Sequence, residues 1–118
     1  MKRLVSAALF CVWSFAVHGE ESALTTGNSL LPACKHATAN PTQADFETGF
    51  CLGLAAAFLN LQYDLKPPAQ FCPPEHATNG QVLRVVVAYM EAHPDRLHKD
   101  VKTLFLEALT QAWPCPHQ

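Results

Sequence analysis

The sequence predicts an all-α fold: a small four-helix domain stapled by two disulfides. Three observations predict it. Apolar residues recur at helical spacing toward the C-terminus, most plainly at Val101, Leu104, Phe105, Ala108, Leu109 and Ala112. Residues suited to cap helix N-termini stand directly before two such stretches, Thr78 before one and Asp100 before the next. Cys34, Cys51, Cys72 and Cys115 remain once an N-terminal leader is set aside, an even number in a domain small enough to need staples.

The leader is residues 1–19. Lys2 and Arg3 form a basic start, Leu4 to Val17 a short apolar run, and Val17 and Gly19 are small enough for the −3 and −1 positions of a signal peptidase site. We place the cut after Gly19, which also removes Cys11. Phe10 before Cys11 is not the small residue that lipidation would need. Residues 20–118 are then one exported domain. The whole chain has a formal net charge of −2, and losing Lys2 and Arg3 makes it more acidic, so no nucleic-acid partner is expected. No later segment is long and apolar enough to span a bilayer, so no membrane anchor is expected after signal cleavage.

Residues 20–27 are polar and read as a loose arm. Asn28 is a candidate cap for a short first helix carrying Leu30, Leu31, Cys34 and Ala37, with Pro32 in its first turn, where a missing amide hydrogen costs little. Asn40-Pro41 marks a connection. The second helix is the long one, about Gln43 to Tyr63, with Asp45 and Glu47 in the first turn, where the helix dipole favours them. Gly49, Gly53 and Ala57 line one of its faces. Two interior glycines cost about 1 kcal/mol each relative to alanine, which close approach of another helix would explain. Packing inside the domain is the favoured form of that approach, and a dimer seam is the alternative. Phe46, Phe50, Leu54, Phe58 and Leu61 supply bulk beside the stripe.

Lys66-Pro67-Pro68 is a stiff connector, and Cys72-Pro73-Pro74 rigidifies the approach to a C-terminal helical hairpin. Its first helix opens on the capping-box pair Thr78 and Gln81 and runs to about His93. Val82, Leu83, Val85, Val86, Val87, Tyr89 and Met90 make it apolar most of the way round, so it should be buried on several sides. Pro94 stops it. The last helix starts after Asp100 and ends at Pro114. In an antiparallel pair the start of one helix lies beside the end of the next, which brings Cys72 to Cys115. The same argument for the first two helices brings Cys34 to Cys51.

No catalytic constellation is evident. The cysteines are committed to disulfides, the acids are dispersed, and His36, His76 and His117 sit apart. His93 and His98 flank a turn with Asp95 between them, which is the one arrangement resembling a metal corner. The plainer reading is a solvated interhelix turn, and neither metal nor cofactor is expected. That turn, with His93, Asp95, Arg96, Leu97 and His98, is the candidate partner-binding element, because a rigid loop loses little entropy on association. The competing reading has Leu97 tucked into the core.

The residues Leu30-Leu31, Cys34, Phe50-Cys51-Leu52-Gly53, Phe71-Cys72-Pro73-Pro74, Gly80-Gln81-Val82 through Val87, Tyr89, Glu91, His93-Pro94, Leu97-His98, Ala108-Leu109, Ala112 and Pro114-Cys115 carry a resemblance that covers nearly all of the mature chain. The chain resembles the Rap/Tai family of periplasmic immunity proteins, which neutralise peptidoglycan amidase effectors of the type VI secretion system. Leu54, Ala57, Asn60, Val101 and Trp113 depart from the usual family residues. The resemblance implies an all-helical, often dimeric protein that occludes the cleft of a cell-wall amidase and does no chemistry itself. The expected partner is therefore an amidase effector, with a homodimer besides and periplasmic localisation. The alternative is an accessory or structural periplasmic protein without an effector.

Overall fold

The computed structural model describes residues 24–116, so the leader expected at 1–19 and the first part of the expected arm, 20–23, lie outside the described residues. Four α-helices follow in order: α1 (Gly27–Ala39), α2 (Phe46–Leu61), α3 (Asn79–Ala92) and α4 (Val101–Ala112), with a 3-10 turn, Pro94–Arg96, between the last two. Helix α3 packs against each of the other three. Its burial follows from its sequence: Val82, Leu83, Val86, Val87 and Met90 are all buried, and only a strip including Arg84, Ala88 and Glu91 faces water. Phe71, from the connector, and Phe105, from α4, are the largest fully buried side chains. Phe105 stacks on Phe58 of α2 with ring centroids 4.7 Å apart.

Both disulfides form as the hairpin argument requires, Cys34–Cys51 between α1 and α2 and Cys72–Cys115 at the open end of the α3–α4 hairpin. Beside the second, the Cys72 amide donates to the Trp113 carbonyl at 2.8 Å, so the connector and the end of α4 are joined by backbone as well as by sulfur. The cap residues of α3 and α4 are as the sequence indicated. Thr78 Oγ1 accepts from the Gln81 amide at 3.1 Å, and Asp100 Oδ1 from the Thr103 amide at 2.9 Å.

Three expectations need correction. Helix α1 starts earlier than Asn28, with Thr26 as its N-cap and Ser29 Oγ donating back to the Thr26 carbonyl at 3.0 Å. Residues 24–27 are not a loose arm: Thr26 and Asp100 form an isolated antiparallel bridge, and the Val101 amide donates to the Thr25 carbonyl at 3.0 Å. Helix α2 begins at Phe46, because Asp45 stays extended and uses Oδ1 to accept from the Thr48 amide at 2.8 Å.

The largest correction concerns the small-residue stripe. A Cβ built on Gly49 or Gly53 would meet nothing within 4 Å, and Ala57 is exposed. Among the described residues no element packs there. The face of α2 that buries is the other one, carrying Thr48, Cys51, Ala55 and Phe58. The glycine that does permit close approach is Gly27. A Cβ there would stand 2.9 Å from both the Cα and the carbonyl oxygen of Leu97.

Candidate partner-binding site

The turn between α3 and α4 is built by consecutive backbone bonds. His93 closes α3, its amide donating to the Met90 carbonyl at 3.2 Å. The Arg96 amide then donates to the His93 carbonyl at 3.0 Å and the Lys99 amide to the Arg96 carbonyl at 2.9 Å, after which Asp100 caps α4. Pro94 suits the first position of the 3-10 turn, since it needs no amide hydrogen there. The N-terminus of α1 clamps the far side of the turn. Gly27 and Asn28 donate their amides to the carbonyls of Lys99 and Leu97 at 3.1 and 2.8 Å.

Side chains lock the near side. Arg96 pairs with Glu107 of α4 through two bonds, one of them Nε to Oε2 at 2.7 Å and the other from its Nη2 to Oε1. Tyr89 of α3 donates its hydroxyl to the same Glu107 Oε2 at 2.8 Å. The His93 ring stacks on Tyr89 with centroids 4.1 Å apart, and its Nδ1 donates to the Tyr89 carbonyl at 2.7 Å. Each ionisable group responds accordingly. Hydrogen bonding from Arg96 holds the Glu107 carboxyl below its ordinary range, and burial followed by the neighbouring Glu107 pushes the Tyr89 phenol up. At the start of α4, the Thr103 amide holds the Asp100 carboxyl down.

The turn thus gathers all five residues singled out from sequence, and it divides them. Leu97 packs against the core, Arg96 is committed to Glu107, and His93 to Tyr89. Asp95 and His98 face solvent, as does Pro94. Sequence reasoning missed Tyr89 and Glu107 as members of the cluster. The available signal was the helical spacing of Tyr89 and His93, one turn apart, and a lone acid within the apolar stretch at the middle of α4. Among the described residues no group of three or more His, Cys, Asp or Glu could hold a metal ion, and no helix is long and apolar enough to cross a membrane.

A second surface is the outer face of α2. Phe46 is 70% exposed, Leu61 41% and nearby Tyr63 82%. Phe46 and Phe50 lie side by side at 5.7 Å beside the flat strip made by Gly49, Gly53 and Ala57. Large apolar groups exposed beside one another on a small domain mark an interaction surface.

No curated protein and no solved structure matches the chain. Residues 26–115, from the cap of α1 to the last cysteine, match the model of the Rap1a immunity proteins. That span holds all four helices, both disulfides and the clamped turn, and an immunity protein acts on a protein effector rather than on a small-molecule substrate. The chain belongs to the Rap1a immunity protein family.

Proposed function

We propose that the protein is a periplasmic immunity protein that binds a peptidoglycan amidase effector of a type VI secretion system and blocks its cleft, without performing chemistry itself. The observation that carries this reading is the turn at 93–98. It is fixed on one side by the Arg96–Glu107–Tyr89 cluster and on the other by the amides of Gly27 and Asn28, and it presents Asp95 and His98 outward. A loop held this way has little freedom left to lose on binding, so its contacts translate into affinity with small entropic cost. In this reading His93, Arg96 and Leu97 shape the turn, and Asp95 and His98 meet the partner.

The open face of α2 supports a homodimer in the same reading. Gly49, Gly53 and Ala57 would let two α2 helices approach closely, with Phe46 and Leu61 filling the flanks. The basic and apolar stretch at 1–19 and the two disulfides, which persist in oxidising compartments, support export to the periplasm in this reading.

The test is co-expression with a panel of cell-wall amidase effectors directed to the periplasm. Rescue of growth from one of them, and loss of rescue when residues 1–19 are deleted, is the expected result. Lysis by every member of the panel despite soluble, oxidised protein in the periplasm would contradict the proposal and favour an accessory protein without an effector.

A further inference from the structure

The two disulfides differ in their access to solvent. Cys34 and Cys51 are both 0% exposed, sealed between α1 and α2 within the core. Cys72 is an exposed residue and Cys115 a half-buried one. Beside this second pair runs a groove of about 620 Å³ lined by Pro67, Pro68, Gln70, Thr110, Pro114 and Pro116, with both cysteines in its wall. Such a groove gives an attacking sulfur a path to one bond and none to the other. The surroundings of the open bond are also able to stand without it. Phe71 is 1% exposed in the core, and the Cys72 amide is bonded to the Trp113 carbonyl, so the connector keeps its seat when the sulfurs part.

We propose that Cys72–Cys115 is a site of thiol–disulfide exchange with external dithiols, while Cys34–Cys51 is a closed structural bond. The exchange runs in two displacements. A thiolate of the dithiol attacks one sulfur of the pair, forming a mixed disulfide and expelling the other cysteine as a thiolate that takes a proton from water. The second thiolate of the reagent then attacks the mixed disulfide, closing its own disulfide and releasing the second cysteine. Two electrons and two protons pass to the protein, and the dithiol is oxidised. The rate depends on access to the sulfur, which is where the two bonds differ.

The experiment uses the full oxidised chain purified from the periplasm. It is treated under native conditions with dithiothreitol in one arm and with reduced thioredoxin in the other. Free thiols are blocked at intervals with iodoacetamide and located by peptide mass spectrometry, and the helical circular dichroism is followed in parallel. With dithiothreitol, Cys72 and Cys115 are expected to label at least tenfold faster than Cys34 and Cys51, with the helical signal retained. Labelling by thioredoxin as well assigns the groove to a protein dithiol, and labelling by dithiothreitol alone assigns it to small thiols. Labelling of all four cysteines at one rate, or of Cys34 and Cys51 first, would overturn the proposal. A Cys72→Ser/Cys115→Ser variant provides the second check. It is expected to keep its helical signal and its Cys34–Cys51 bond in the same dithiothreitol, and loss of that bond under those conditions would equally overturn it.

Discussion

Arg96 and Glu107 are joined by two parallel hydrogen bonds across the space between the interhelix turn and the side of α4. The pair converts a stretch that connects two helices into a fixed part of the surface. Glu107→Gln removes the charge and one acceptor while keeping the shape. The expected outcome is faster amide hydrogen exchange at Arg96 and Lys99, whose amides close the turn, with the circular dichroism of the four helices unchanged. Unchanged exchange at those two amides would show that the pair does not hold the turn.

Gly27 and Gly53 should respond to alanine in opposite directions. At Gly27 the new methyl would lie 2.9 Å from the Leu97 backbone, which cannot yield as a side chain can, so Gly27→Ala is expected to cost about 1–3 kcal/mol in denaturant unfolding. At Gly53 the methyl meets nothing, and Gly53→Ala should stabilise the monomer by up to about 1 kcal/mol through helix propensity. If α2 pairs with a second copy, a bulkier Gly53→Leu should leave the fold intact and shift the protein to monomer by sedimentation.

The disulfides close segments of 17 and 43 residues, which chain entropy values at about 3 and about 4 kcal/mol. Burial reverses that order. Serine at Cys34 and Cys51 places two hydroxyls at fully buried positions, each costing about 1–3 kcal/mol if unpartnered. The double serine variant at 34 and 51 should therefore have the lower urea midpoint, despite the shorter loop.

A pH dependence follows from the junction of α1 and α2. His36 Nε2 donates to Asp45 Oδ2 at 2.8 Å. The hydrogen bond to Asp45 raises the His36 pKa, and the Thr48 amide followed by His36 lowers that of Asp45. A raised histidine contributes stability that is fully present below its unfolded value of 6.5 and is lost as pH climbs through the folded value. A lowered carboxylate contributes stability present above its unfolded value of 3.8 and lost as pH falls through the folded value. The contribution of the pair is therefore greatest between those two ordinary values. His36→Gln should flatten the decline of the melting temperature above pH 6.5, and an unaltered profile would exclude this pair as its source.

The elements that were legible in the sequence were those governed by local chemistry. Thr78 and Asp100 announced their helices because a capping side chain acts within three residues of itself, and the cysteine pairing followed from the order of the helices alone. The fate of Gly49 and Gly53 was not legible, since a small residue shows that approach is permitted but not that a neighbour arrives. Thr26, not Asn28, caps α1, and the close approach that Gly27 permits depends on the Leu97 backbone seventy residues away, which no local pattern reports. The site was half legible. The turn at 93–98 stood out by polarity, but Arg96 reaches a partner eleven residues further on, and no local pattern reports that an exposed-looking charge is already taken.

The most direct test of the account is the affinity of purified protein for whichever amidase effector of the co-expression panel it rescues from, compared with Asp95→Ala, His98→Ala and the outer-face variant Arg84→Ala. The account predicts a stable complex that abolishes cleavage of peptidoglycan. Asp95→Ala and His98→Ala should each weaken it about tenfold or more, which corresponds to about 1.4 kcal/mol, with unchanged helical spectra, and Arg84→Ala should leave it as tight as the parent. Full inhibition with undiminished affinity in both turn variants would contradict the placement of recognition at this turn.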